Sequence, residues 1–231
     1  MELKSDSIRL NKYLALNLGI SRREADDLID QQKVKVNNEL VKLGARFSEG
    51  DIIIVNDQEV SNTTKYQYLA LNKPVGYVCS RKQQGDNPTI YELLPESYHH
   101  LKPVGRLDRD SSGLILLTND GDFAYQMTHP KFFKTKIYNA RLDRELAPLH
   151  QQMISDYGIK LEDGPSKLQL ERMNETDRKS WIITMHEGRN RQIRRTFGSL
   201  GYTVIKLHRT NFGNYSLGDI QPGKFEIVSI L

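Results

Sequence analysis

Asp108 and Asp110 stand in VGRLDRDSSG, residues 104–113, directly before an apolar run at 114–117. Gly105 and Gly113 permit tight backbone paths on either side. An ionised carboxylate flanked by Arg106 and Arg109 is able to act as a nucleophile and form a covalent intermediate. Spacing by itself equally describes loop caps or surface ion pairs, and it does not choose between the two aspartates. A magnesium site built from Asp108, Asp110, Asp120 and Asp122 is a second chemistry open to these residues. Against it, Asp120-Gly121-Asp122 reads as a turn and helix cap, and the arginines beside Asp108 compete with a cation. No metal is expected.

The other constellation is basic. EGRNRQIRR, residues 187–195, sets Arg189, Arg191, Arg194 and Arg195 at a predicted helix start after a glycine turn. Arg22 and Arg23 occupy the first turn of another predicted helix, with Lys33 and Lys35 just beyond it. Cations oppose the helix dipole at such a start, and a bound phosphate reverses the sign of the effect. The chain carries 33 Lys and Arg against 29 Asp and Glu, a net charge of +4. With so small a surplus, the clusters rather than the total point to a polyanion. A solvated charged face gives the same composition; the helix–helix–hairpin order of the front segment favours phosphate contact.

Several chemistries have no motif here. There is no GxxxxGK[ST] loop, no GxGxxG after a strand, no CxxC pair, no HExxH and no GxSxG. The single cysteine, Cys79, lies in an apolar stretch and reads as core. No apolar run reaches the roughly 20 residues that span a bilayer, and the first ten residues lack the apolar centre of a signal peptide. A cytoplasmic, monomeric protein without a cofactor is the expectation.

These residues need elements to hold them. In front, helices are predicted over 10–18 and from 22 onward, Ser21 and Glu24 forming a capping box. Short strands at 34–36, 40–41 and 52–55 follow, turned at Asn37-Asn38, and 57–67 reads as a linker. This gives a small domain over 1–60 and a larger one over 61–231. The larger part alternates poorly and is rich in strands, at 68–71, 76–79, 114–118, 136–142, 168–173, 181–185, 202–207 and 225–230. Helices are predicted at 89–94, 123–128, 145–157 and 190–200. That pattern is an α+β fold with a mixed, mainly antiparallel sheet and flanking helices.

Residues 8–55, with RLNKYLA, SRREADDLI and VKVNNELVKLGARFSEGDIIIV, resemble an S4 RNA-binding domain. LNKPVGYVCS, GRLDRDSSGLILLTNDG, KTKIY and EGRNRQIRR follow in order, and together they resemble the RsuA/RluB/RluE/RluF branch of pseudouridine synthases over essentially the whole chain. The resemblance implies an isomerase that turns one uridine of ribosomal RNA, free or in a pre-ribosomal particle, into pseudouridine without a cofactor. It implies Asp108 as nucleophile, Arg106 filling the space of the flipped uridine, and Tyr138 stacking on the base as a candidate acid or base. Lys136 would support the site, Ile193 would line the uracil pocket, and Arg194 would pair with Asp108. Arg189, Arg191, Arg22, Arg23, Lys33 and Lys35 would contact RNA. EGRNRQIRR and the downstream FGNYSLGDIQPG favour large-subunit over small-subunit RNA. The rival expectations are a non-catalytic ribosomal RNA-binding or ribosome-assembly protein of the same fold, and a metal-dependent RNA hydrolase.

Overall fold

A computed structural model describes residues 7–61, 65–81 and 83–231. The chain divides into two compact units, Met1–Tyr66 and Gln67–Leu231.

The front unit packs helices Leu10–Asn17 and Arg22–Asp30 on a small sheet. The predicted capping box is present: Glu24 N–H donates to Ser21 Oγ at 3.1 Å, and Ser21 N–H donates to Glu24 Oε2 at 2.6 Å. Asn37 and Asn38 both have positive φ, +50° and +69°, and turn Val34–Val36 back onto Glu39–Leu40. Paired positive φ values match the right-handed twist of a hairpin, which is why asparagine stands at both sites. Leu10, Leu14, Ala25, Ile29, Val34, Phe47, Ile53 and Val55 form a core of their own. The expected linker is shorter than the sequence suggests. Asn56 and Asp57 form a second positive-φ turn, and Gln58–Glu59 pairs with Ile53–Val55. Of the remaining linker residues, 62–64 lie outside the described residues.

The second unit is built on a mixed sheet. Its main path runs Gln169–Asn174, Asp177–Met185, Lys136–Leu142, Val204–Phe212, Ser112–Thr118, Tyr68–Lys73, Phe225–Ile227. All these pairings are antiparallel except Val204–Phe212 with Ser112–Thr118. The fold is α+β. Tyr68–Lys73 is buried throughout, because both of its faces carry apolar layers. One layer includes Leu69, Leu71, Ile115 and Leu117; the other includes Tyr68, Ala70, Leu114 and Leu116. A strand covered on both sides reads as a continuous apolar run rather than an alternating one.

Several predicted elements differ from the structure. Residues 76–79 are a loop: Gly76 N–H donates to Arg109 O at 2.8 Å, and Val78 makes only an isolated bridge to Thr89. The 145–157 segment begins its helix at Pro148, runs to Gln152 and widens into a π turn over Met153–Tyr157. Proline lacks an N–H, so it suits the first helical position and not the interior. The 190–200 helix is shorter, Gln192–Gly198, since Arg191 sits in the left-handed region at φ +48°. The 202–207 strand runs on to Phe212. A small hairpin, Ile159–Leu161 with Gly164–Ser166, has no counterpart among the predicted elements.

Candidate active site

Lys136 and Tyr138 are two residues apart on one strand and therefore share a face. Registered neighbours complete that face: Met185 lies opposite Lys136, and Arg209 lies opposite Tyr138. The loop after Val104 arrives beside them because Ser112–Thr118 pairs in parallel with Val204–Phe212, with Gly113 beside Arg209. Gly113 has φ +106°, and an added Cβ would lie 2.2 Å from the Arg209 carbonyl oxygen. Only glycine allows the two strands to approach so closely there. The result is a cavity of about 650 Å³. Arg106, Asp108, Lys136, Tyr138, Ile193 and Arg194 line it, as do Arg191, Arg189 and Arg209. The front-unit cations Arg22, Arg23, Lys33 and Lys35 belong to the other unit. Arg22, Arg23 and Lys33 are exposed there; Arg22 donates to Asn11 Oδ1 and Lys35 pairs with Asp57 at 2.9 Å.

The Asp108 side chain is 29% exposed, against 50% for Asp110. Arg191 lies 3.7 Å from a carboxylate oxygen of each. The expected direct pair between Arg194 and Asp108 is therefore corrected. Arg194 donates to Val204 O at 2.6 Å, Asp110 O at 2.9 Å and Ser111 Oγ at 3.4 Å. It fixes the backbone of the loop and acts on Asp108 only through the field. Burial, with the neighbouring Arg191 charge, lowers the pKa of Arg194, while Asp108 and Asp110 oppose that shift. Arg191 was expected on RNA and is found on the carboxylates.

Arg189 also differs from expectation. It donates to Asp163 O and Oδ1, Gly164 O, Pro165 O and Glu187 Oε2, with distances from 2.6 to 3.1 Å. An arginine so committed holds the Gly164–Ser166 hairpin against the 187–189 loop instead of waiting for phosphate. Arg195 donates to both oxygens of the Asp163 carboxylate, at 3.0 and 2.7 Å. Arg106, by contrast, is exposed and has no partner among the described residues. Tyr138 is 7% exposed, and its hydroxyl makes no hydrogen bond among the described residues.

Two basic residues of the site escape the sequence reading. Lys73 is fully buried and donates to Ser111 O at 2.7 Å and Pro74 O at 2.9 Å, with Arg109 O at 3.5 Å. Burial lowers its pKa to about 8, partly offset by Cys79, Asp108 and Asp110. It is a buried clamp on the loop that carries the aspartates. The signal is present in LNKPVG, where a lysine follows an otherwise apolar strand. Arg209 is 2% exposed; its Nε donates to Leu114 O at 2.8 Å, and its buried Nη2 has no hydrogen-bond partner among the described residues. A buried guanidinium lacking a carboxylate is costly unless a ligand completes it. No local pattern marks Arg209, whose role depends on strand register. Lys136 hangs over the Phe212 ring at 5.3 Å, and burial first, then Arg209, lowers its pKa to about 8.

Cys79 backs the loop, meeting Leu107 N and O at 3.5 and 3.4 Å. Burial raises its thiol pKa, as befits a packing residue. Asp120 stands apart from Asp108 and Asp110. Its carboxylate caps the Gly121–Thr128 helix through the N–H groups of Asp122 and Phe123 and accepts from the Tyr68 hydroxyl. Among the described residues no group of three metal-ligating side chains occurs, and no helix is long and apolar enough to cross a membrane.

Comparison with known proteins gives the same two segments names. Residues 8–53 match the S4 domain model, and residues 67–199 match the RNA pseudouridylate synthase model. The chain is 37% identical to ribosomal large subunit pseudouridine synthase B of Bacillus subtilis, covering 93% of this chain and 89% of that protein. It is 35% identical to ribosomal small subunit pseudouridine synthase A of Pasteurella multocida, covering 96% of each. A crystal structure of a pseudouridylate synthase superposes with a TM-score of 0.69 at 35% identity over 96% of both chains. With an S4 domain in front and this sheet behind it, the chain belongs to the RNA pseudouridylate synthase family.

Proposed function

We propose that the chain isomerises a uridine of ribosomal RNA with Asp108 as nucleophile. The observation that carries this reading is the placement of the half-buried Asp108 carboxylate in one cavity with Tyr138, Arg106 and Arg191. The target uridine leaves its stack, at a cost of a few kcal/mol, and enters that cavity. Arg106, exposed and without a partner among the described residues, takes its place in the RNA. Tyr138 and Ile193 form the faces against which the uracil lies. The reaction breaks the bond from ribose to N1 and forms one from ribose to C5; the C5 proton leaves and N1 gains one. Asp108 attacks during this sequence, and the Tyr138 hydroxyl, the candidate acid or base, handles the C5 proton. Arg191 and Arg194 hold the loop and its charge. Arg209 and Lys136 turn donors toward the uracil carbonyls or the adjoining phosphate.

The relatives named for both ribosomal subunits support ribosomal RNA as substrate. Within it we take the large subunit, on the EGRNRQIRR and FGNYSLGDIQPG segments. The front unit supplies affinity for structured RNA through Arg22, Arg23, Lys33 and Lys35, and the enzyme works in the cytoplasm.

Mapping pseudouridines in ribosomal RNA from cells lacking this protein should show one site missing from the large-subunit RNA. Asp108→Asn should fold, bind that RNA and form no pseudouridine in a long single-turnover assay with chelator present. Asp110→Asn should keep most activity, since an exposed ion pair contributes about 0–1 kcal/mol. An active Asp108→Asn protein would overturn the assignment; so would wild-type activity abolished by the chelator. A full pseudouridine map in the deletion strain would leave only the non-catalytic reading.

A further inference from the structure

Beside the cavity lies a surface that the chemistry does not use. The Gly121–Thr128 helix turns Phe123 and Met127 inward and leaves Tyr125 outside, 46% exposed. The Pro130–Phe132 turn then presents Phe132 at 37% and Phe133 at 74% exposure. Tyr125, His129 and Phe132 form one ring cluster: Tyr125 lies 4.7 Å from His129 and 5.8 Å from Phe132, centroid to centroid. The Lys131 ammonium sits 5.1 Å from the Tyr125 ring and 4.7 Å from the Phe132 ring.

Three features set this patch apart from scattered surface apolar residues. Phe133 occupies the left-handed region, φ +48° and ψ 40°, where a bulky residue is strained, and it gains no burial in return. From residue 123 to 142 there is no Asp or Glu, while Lys131, Lys134, Lys136 and Arg141 all fall there. Finally, Thr128 and Pro130 of this segment line the cavity itself, so the patch borders its mouth. Aromatic faces interleaved with cations suit unpaired nucleotides: every base has a face to stack, and every phosphate finds an ammonium. A protein partner would not require that charge bias.

We propose that Tyr125, Phe132 and Phe133, with Lys131 and Lys134, form a stacking platform for unpaired bases of the substrate RNA next to the target uridine. The inference rests on the reading of this chain as an RNA-modifying enzyme. A flipped uridine leaves its neighbours partly unstacked, and the platform receives them.

The test uses the full chain carrying Phe133→Trp as a reporter; the single native tryptophan, Trp181, is fully buried. Titration with a short unpaired oligouridylate should quench the new fluorescence. Inorganic polyphosphate, which has charge and no bases, should not. In parallel, the double variant Phe132→Ala, Phe133→Ala should raise KM on an rRNA fragment roughly 5- to 100-fold, leaving the salt slope of binding intact. The loss should fall on KM and not on the single-turnover rate at saturating RNA. Equal quenching by polyphosphate, no quenching by RNA, or an unchanged KM would each overturn the proposal. An unchanged KM on naked RNA with poor modification of assembling subunits would assign the patch to a protein. Absence of pseudouridine with the wild-type chain would instead defeat the enzymatic reading, and the fluorescence titration would still report on stacking.

Discussion

Arg191 and Arg194 are three residues apart and do different work. Arg191 reaches the carboxylates of Asp108 and Asp110, each at 3.7 Å, whereas Arg194 bonds the loop backbone. Arg194→Ala should therefore disorder the loop and cut kcat sharply, with Arg194→Lys recovering little, because one ammonium does not span Val204 O, Asp110 O and Ser111 Oγ together. Arg191→Gln should also lower kcat, but the loop should keep its structure, as hydrogen exchange at 109–111 would show. Equal exchange in both variants would refute this division. The resemblance carried by GRLD and KTKIY implies one site for Asp108, Tyr138 and Arg106, and all three line one cavity. It does not show that Arg194 bonds the loop backbone or that Arg189 and Arg195 hold Asp163, since partner choice depends on the left-handed turn at Arg191 and on a hairpin 25 residues upstream. Lys136 gives a pH test. Its pKa is lowered to about 8, so it is charged below that value and neutral above it in free protein. Bound phosphate favours the charged form, so RNA binding takes up a proton above pH 8. Affinity should fall as pH rises through 8, and Lys136→Arg should flatten that fall; a wild-type affinity level from pH 7 to 9 would remove Lys136 from the RNA.

At the scale of elements, the site depends on one close approach. The parallel pair of Ser112–Thr118 with Val204–Phe212 brings the Asp108 loop onto the face that holds Tyr138 and Arg209. Gly113→Ala places a methyl group 2.2 Å from a backbone oxygen and 2.6 Å from a backbone nitrogen of Arg209, and its φ of +106° adds strain. Backbone cannot yield as a flexible side chain does, so this substitution should cost at least about 1–3 kcal/mol from the dihedral alone. Urea unfolding should show a lower midpoint with activity falling in parallel. Gly121→Ala, with nothing within 4 Å of the added Cβ, serves as the control. Amphipathic and doubly apolar strands are legible from their patterns, as are capping residues and the Asn37-Asn38 turn. The 76–79 loop is not, because an apolar stretch that spends its N–H groups on a neighbouring loop looks like a strand until the neighbour is known. The parallel pairing is equally hidden, joining strands about 95 residues apart in the chain.

For the whole molecule, two units with separate cores suggest separable contributions. Leu10, Leu14, Ile29 and Phe47 close the front core, and none of them belongs to the clusters of the second unit. The front cations Arg22, Arg23 and Lys33 are exposed, and among the described residues Lys35 is held only by an exposed pair with Asp57, which a phosphate is able to displace. Residues 67–231 alone should therefore fold and modify a short RNA fragment with a single-turnover rate near that of the full chain, but with a much higher KM. Each cation taken off a phosphate should make the plot of log affinity against log salt shallower, by about 0.7 for single-stranded RNA and about 0.9 for duplex. Removing three or four such cations would then flatten that plot by roughly two to four. The quadruple change of Arg22, Arg23, Lys33 and Lys35 to glutamine in the full chain should reproduce the same loss of slope with both units intact. That second measurement separates the charge argument from any effect of truncation on folding. If the truncated protein kept its affinity and slope while the chemical rate fell, the front unit would be acting on the cavity, and the division of labour proposed for this chain would be wrong.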